Sequence, residues 1–275
     1  MDCVPICFIE EVLLQLEENQ FYLICKFSSI WGEITDKELS RGRAYLHLYI
    51  ESKGKAYFCV DDAHQKSVEL DRIGQFVITY IDVEDVDGQE DEEDWNWLLS
   101  KLHPLTKKNF QLLLNFIRKP FPCYLALDFQ TDPIHPLVQR LCLDLPRIAE
   151  LVLLSQGSLS MDILTRSIER GTLSNLFCYI NVTQKVLPAL FKFVAFEKME
   201  ELYVDHSDDC PVSYETLLNG IIDAVQSRKR GCRISVDERY RHLCARLEEE
   251  TARQKVTVRY YHNSIRNQLS VKSKK

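Results

Sequence analysis

The chain is poor in the residues that interrupt structure: nine Gly and nine Pro in 275 residues. That excludes collagen-like and low-complexity classes. No apolar run reaches 18 residues, so no transmembrane helix is expected. The first residues carry no basic region, and Glu10 and Glu11 stand among the apolar positions. A secretory signal is therefore not expected. The ten Cys include no CxxC pair. Cys3 and Cys7 lie one helical turn apart, but no Cys/His pair follows at zinc-like spacing. Reduced, mostly buried thiols are expected, in the cytoplasm or the nucleus. The chain also has no G-x-S-x-G, no P-loop and no G-x-G-x-x-G. No feature points to catalysis, a metal or a cofactor, and the expected class is not an enzyme.

What is present is a chain with 45% apolar residues and a net charge of −7, enough for one long domain or two ordinary ones. The charge is unevenly placed. Residues 82–94 hold nine acids and no base, whereas residues 228–275 hold fourteen Lys/Arg against five Asp/Glu. The acidic run reads as a solvated loop. The basic segment reads as a solvated helix and tail. Arg241, Arg246 and Arg253 interleave there with Glu248, Glu249 and Glu250, as in an ion-pair-laced helix. Nucleic-acid binding through Tyr260, Tyr261 and the nearby arginines is the less favoured reading.

Three regions follow from the periodicity. Residues 1–40 read as helical: Val4, Phe8, Val12 and Leu16 recur at i, i+4 and share one face. Pro5 suits a first helical turn. Residues 41–120 read as a small antiparallel β meander, an acidic loop and two helices. The first two strands are Tyr45–Ile50 and Ala56–Val60, with Gly54 turning the hairpin, and residues 75–81 form a third. The helices are marked by Trp95, Trp97, Leu98 and Leu102, then by Phe110, Leu113, Leu114 and Ile117.

From residue 121 onward the chain repeats. Residues 148–153, 173–178 and 199–204 follow L-x-x-L-x-L, and residues 122–127 match its last two places. Leu125, Leu151, Leu176 and Leu202 are separated by 26, 25 and 26 residues. Helical patterns at 136–145, 161–170, 184–196 and 214–227 fill the intervals. Residues 233–236 and 256–260 are further candidate strands at less regular spacing. A strand and a helix at constant period imply a β/α solenoid, because each unit buries its apolar stripe only against its neighbours. A doubly wound α/β sheet would also alternate strands and helices, but without a fixed period.

Residues 5–31 resemble an F-box. Pro5 follows an apolar residue. Phe8, Val12, Leu13 and Leu16 stand at the first helix's apolar positions, and Phe21, Ile24 and Phe27 at the second's. Ser28-Ser29-Ile30 then leads to Trp31 at the family's distance. Val4 in place of Leu, no second Pro and Gly32 after Trp31 depart from the pattern. The repeat array resembles irregular leucine-rich repeats. Met1-Asp2-x-Val4-Pro5 is similar to the opening of nematode-expanded F-box-like families. The resemblance implies a substrate-recognition subunit of a cullin–RING ubiquitin ligase. Pro5, Phe8, Val12, Leu13, Leu16, Phe21, Ile24 and Trp31 would bind a Skp-type adaptor. The array would recruit a target protein that the sequence does not identify. The alternative is a non-catalytic binding scaffold whose N-terminal helices cap the strand array.

Minor candidates resolve on chemistry. Asn181 opens an N-x-T sequon but also falls where a leucine-rich repeat places Asn to bond backbone groups after the strand, and that structural role is expected. Asp85-Val86-Asp87-Gly88 resembles part of a calcium loop, but Val83 would occupy the first ligand position. His206 beside Asp208 and Asp209 reads as a solvated loop histidine.

Overall fold

The computed structural model describes residues 4–13, 16, 18–51, 54–86, 101–119, 121–205, 210–252 and 256–261. The fold is mixed α/β. The described residues contain ten strands, nine α-helices and two short 3-10 helices. They cluster into two compact units. The first comprises Met1–Glu150 with Gly157–Ile163, and the second Leu151–Gln156 with Leu164–Lys275.

Unit 1 begins with three short helices, α1 (Ile6–Leu13), α2 (Glu18–Ile24) and α3 (Ile30–Leu39). Five strands follow: β1 (Gly42–Glu51), β2 (Lys55–Asp62), β3 (Phe76–Asp85), β4 (His103–Pro104) and β5 (Cys123–Asp128). Their order is β5-β3-β1-β2-β4. The β1–β2 hairpin is antiparallel, as expected, with Leu48 opposite Phe58. Gly54 turns it at φ +77°, a conformation that favours glycine.

The expected antiparallel meander is corrected at β3. This strand pairs with the other edge of β1 and runs parallel to it. β3 still runs opposite to β2, so residues 63–75 pass the end of β1 to reach its far edge. β5 is parallel to β3 in turn.

Side-chain alternation divides this sheet into two faces. Leu46, Leu48, Ile50, Phe58, Val60, Ile81, Val83, Leu125 and Leu127 are buried on one. Two helices contribute the same kind of buried face: Phe110, Leu113, Leu114 and Ile117 from α4 (Lys107–Ile117), Val138, Leu141 and Cys142 from α5 (Pro136–Leu143). Thr106 caps α4 by accepting from the Asn109 N–H, which satisfies one of the helix's free amides. The other sheet face carries Tyr, His, Asp and Glu.

Strand β6 (Ile148–Leu153) and helix α6 (Ser158–Arg170) contain the unit boundary. Unit 2 contains β7 (Asn175–Cys178), α7 (Leu187–Ala195), β8 (Glu201–Val204), α8 (Tyr214–Gln226), β9 (Cys232–Asp237), α9 (Ala245–Ala252) and β10 (Val256–Tyr261). Its strands lie in chain order, β7-β8-β9-β10, all parallel. A doubly wound sheet reverses strand order at a switch point; these four strands do not reverse. Right-handed crossovers in a constant direction place successive helices on one face. Leu176, Cys178, Leu202, Val204, Ile234 and Val236 are buried, and α7 and α8 present Leu190, Phe193, Leu217, Ile221 and Ile222 as their buried residues. The two less regular segments predicted near 233–236 and 256–260 are both strands of this series.

Arg228 locks the α7–β8 connection. It is buried, and its guanidinium donates to the carbonyls of Val194, Phe196 and Met199. These are acceptors at a helix end and in the turn after it, the Phe196 carbonyl also accepting from the Met199 N–H, so this cation is structural. Elsewhere in the basic segment, Arg241 pairs with Glu238, Arg246 with Asp223 and Arg239 with Asp237. Of the helix expected at Trp95, Trp97, Leu98 and Leu102, only Leu102 is described, and it is not helical; most of the acidic loop, His206 with its neighbouring acids, and the tail from 262 lie outside the described residues.

Candidate functional site

Of the residues singled out between Pro5 and Trp31, Phe8, Val12 and Leu13 lie on α1, Phe21 and Ile24 on α2 and Trp31 on α3, while Pro5, Leu16 and Phe27 lie in the segments that flank the helices. The Pro5 carbonyl accepts from the N–H groups of Phe8 and Ile9. Proline's missing N–H therefore costs nothing at this entry. Ser29 caps α3 by accepting from the Gly32 N–H. Gly32 is required by a close approach: a Cβ there would lie 1.9 Å from the Phe27 carbonyl oxygen. This explains why the position after Trp31 carries no side chain. Thr35 Oγ1 donates to the Trp31 carbonyl at 2.7 Å, which settles the first turn of α3.

Ile9, Leu13 and Phe21 are fully buried and form a small core of their own. Leu16, Ile24, Ile30, Trp31 and Phe121 pack around it, the rings of Phe21 and Phe121 lying 5.4 Å apart. Each fully buried side chain of this kind contributes roughly 1.5–3 kcal/mol. Glu38, also buried, pairs with Arg41 at 3.3 Å and Lys119 at 3.5 Å, and Lys119 reaches Glu10 at 3.8 Å.

The surface of this helical segment is unlike the rest. Ile6, Phe8, Tyr22, Leu23 and Phe27 are each more than half exposed. Among the described residues the only other exposed large hydrophobic side chain is Leu154, at 37%. Exposed apolar side chains are ordinary singly and informative when concentrated. Phe8 stands edge-on to Trp31, with ring centroids 6.5 Å apart.

The expected adaptor-binding residues therefore separate into three groups. Pro5 and Phe8 are exposed; Val12, Leu16, Ile24 and Trp31 are half-buried; Leu13 and Phe21 are core. Ile6, Tyr22 and Leu23 were missed. Leu23 directly precedes Ile24, off the stripe that periodicity follows, and a pattern of apolar spacing does not select it. Phe27, placed on the second helix's apolar face by its spacing, is exposed.

Compared with known proteins, the chain matches no family model, no curated protein and no solved structure.

An aromatic cluster lies in unit 2. Tyr203 packs against Phe177, Tyr179 and Tyr261, with ring centroids 6.4, 4.9 and 4.6 Å away. Tyr261 donates its hydroxyl to the Val204 carbonyl. Arg233 and Glu201, opposed in adjacent strands, pair at 2.6 Å. Asn181 is exposed and accepts from Cys210 Sγ. Asp85 accepts from Thr131 Oγ1 and from the backbone N–H groups of Gln130 and Thr131, so it holds a loop. Asp87 and Gly88 lie outside the described residues. Among the described residues, no group of three or more His, Cys, Asp or Glu has a geometry able to hold a metal ion. No helix among them is long and apolar enough to cross a membrane.

Proposed function

We propose that the chain is a substrate-recognition subunit of a cullin–RING ubiquitin ligase, with α1–α3 as an F-box-like segment that docks a Skp-type adaptor. The observation that carries this reading is the division of labour within the segment. Ile9, Leu13 and Phe21 hold the helices together, while Ile6, Phe8, Tyr22, Leu23 and Phe27 face solvent. A terminal cap turns its apolar face inward and presents a polar outer face. A helical unit that binds another protein leaves apolar anchors outside, to be buried in the partner's groove.

The strand–helix series then acts as a leucine-rich-repeat-like array. Its constant period and unreversed order in unit 2 support that reading. The array holds a target protein while the adaptor joins the chain to the ligase. Catalysis comes from proximity: a target lysine held near a charged ubiquitin carrier reacts at raised effective concentration. No side chain of this protein takes part in the transfer.

The test is a pull-down with purified Skp-type adaptor using wild type and a Phe8→Ser/Phe27→Ser variant. Both substitutions remove exposed apolar surface without touching the Ile9–Leu13–Phe21 core, so the variant stays folded. The expected result is adaptor capture by wild type and loss in the variant. Equal capture by both would overturn the assignment of this surface. No capture by folded wild type would leave the alternative, a binding scaffold without a ligase link.

A further inference from the structure

The sheet face of unit 1 opposite its apolar core is ordered in rows. The register sets Tyr45, Tyr80 and Tyr124 side by side on β1, β3 and β5. Tyr80 stacks on Tyr124 with centroids 4.4 Å apart, and Tyr45 meets Tyr80 edge-on at 5.5 Å. One row along the strands, His47 stands beside Asp82, and one row further Glu84 stands beside Asp128. Successive rows on one face are two residues apart, about 7 Å. Tyr45, His47, Tyr80, Asp82, Glu84 and Tyr124 are all only part-buried, and Asp128 is exposed.

The charges on this face do not balance. Asp82, Glu84 and Asp128 converge, and among the described residues no Lys or Arg forms an ion pair with any of them. His47 lies 4.0 Å from Asp61, but burial lowers its pKa and favours the neutral ring. Burial, and then the hydrogen bond with Glu84, hold the Asp82 carboxyl well above the usual carboxylate range. Asp82 thus keeps a proton where a counter-cation would serve.

We propose that this face docks a basic segment of a partner protein, in extended conformation, with Lys or Arg at alternate positions. The aliphatic stem of such a side chain lies along the tyrosine rings, and its charged head is attracted to the ring faces and to the carboxylates. Alternate residues of an extended peptide also repeat at about 7 Å, so two cations match two rows. The sign of the field excludes a phosphate backbone as occupant. In the proposed ligase this segment is the recognition element of the target. The inference itself concerns the chain alone, and loss of adaptor binding with peptide binding intact would leave it standing.

The experiment measures fluorescence anisotropy of a labelled Arg-Ser-Arg-Ser-Arg-Ser peptide titrated with the full chain. A Glu-Ser peptide of equal length is the control. Saturable binding of the basic peptide alone is expected. Glu84→Gln/Asp128→Asn should weaken it at least about tenfold, the scale for removing one side of a desolvated charge contact. Tyr124→Leu, which keeps every charge, should weaken it as well, and it preserves the test should the double variant misfold. Two results would each overturn the proposal: no binding by wild type, or full binding by both the charge and tyrosine variants.

Discussion

Replacing Arg228 by Met tests the packing of unit 2 most sharply. The side chain is 2% exposed, and its length is matched by Met while its hydrogen bonds are not. Nη1 donates to the carbonyls of Val194 and Phe196, and Nη2 to Met199 at 2.7 Å. Hydrogen bonds from a charged group contribute about 1.5–3 kcal/mol each in net terms. Three would sum to more than the variant should lose, because removing the guanidinium also removes the cost of burying its charge. That cost is partly offset in the wild type by the nearby Glu197, whose carboxyl is held below its usual range chiefly by the N–H of Lys229. The expected loss is therefore ~3–5 kcal/mol, the scale for breaking a buried charged contact. This is a large share of the ~5–15 kcal/mol that stabilises an ordinary domain. Urea unfolding followed by circular dichroism reads it as a lower midpoint at unchanged slope. A loss below about 1 kcal/mol would refute the reasoning, since buried carbonyls left without donors cost more than that.

Three further outcomes are expected. Gly32→Lys, which restores the basic residue of the F-box pattern, should cost about 1–3 kcal/mol, because its Cβ collides with the Phe27 carbonyl; a thermal melt of residues 1–41 within the full chain, followed by hydrogen exchange, reads it. Leu13→Ala should cost ~2–5 kcal/mol, whereas Phe8→Ser should stay within about 0.5 kcal/mol; urea unfolding compares them. The pH dependence should have two limbs. His47 has a lowered folded pKa, so the unfolded chain takes up its proton first, and stability falls as pH drops below about 6.5. Asp82 has a raised one, so its contribution is full in acid and is lost as pH rises above the ordinary carboxylate range. His47→Gln should flatten the acid limb and Asp82→Asn the alkaline limb in urea midpoints measured across pH.

The strands between 123 and 204 were legible because Leu125, Leu151, Leu176 and Leu202 are all fully buried. A repeated core position imposes its period directly on the sequence. The position of β3 was not legible. It runs opposite to β2 in a meander and in the structure alike, and its alternation is the same beside β2 or beside β1. Asp82 and Glu84 were read as the start of a solvated acidic run, yet they belong to β3. The signal available was the period of two through Tyr80, Asp82 and Glu84, which the density of acids obscured. In the N-terminal segment the apolar spacing located the helices. Spacing alone could not separate the stripe that meets its own core, at Leu13 and Phe21, from the side chains left facing solvent, at Phe8 and Phe27. That division depends on where α3 folds back, and the Ser29 cap and Gly32 set the turn.

The central claim is that α1–α3 form a docking unit rather than a cap, and isothermal titration of the purified full chain with a Skp-type adaptor tests it most directly. The account predicts saturable one-to-one binding, with a negative heat-capacity change from burial of Phe8, Leu23 and Phe27. A folded chain that produces no binding heat and no co-elution with the adaptor would contradict it.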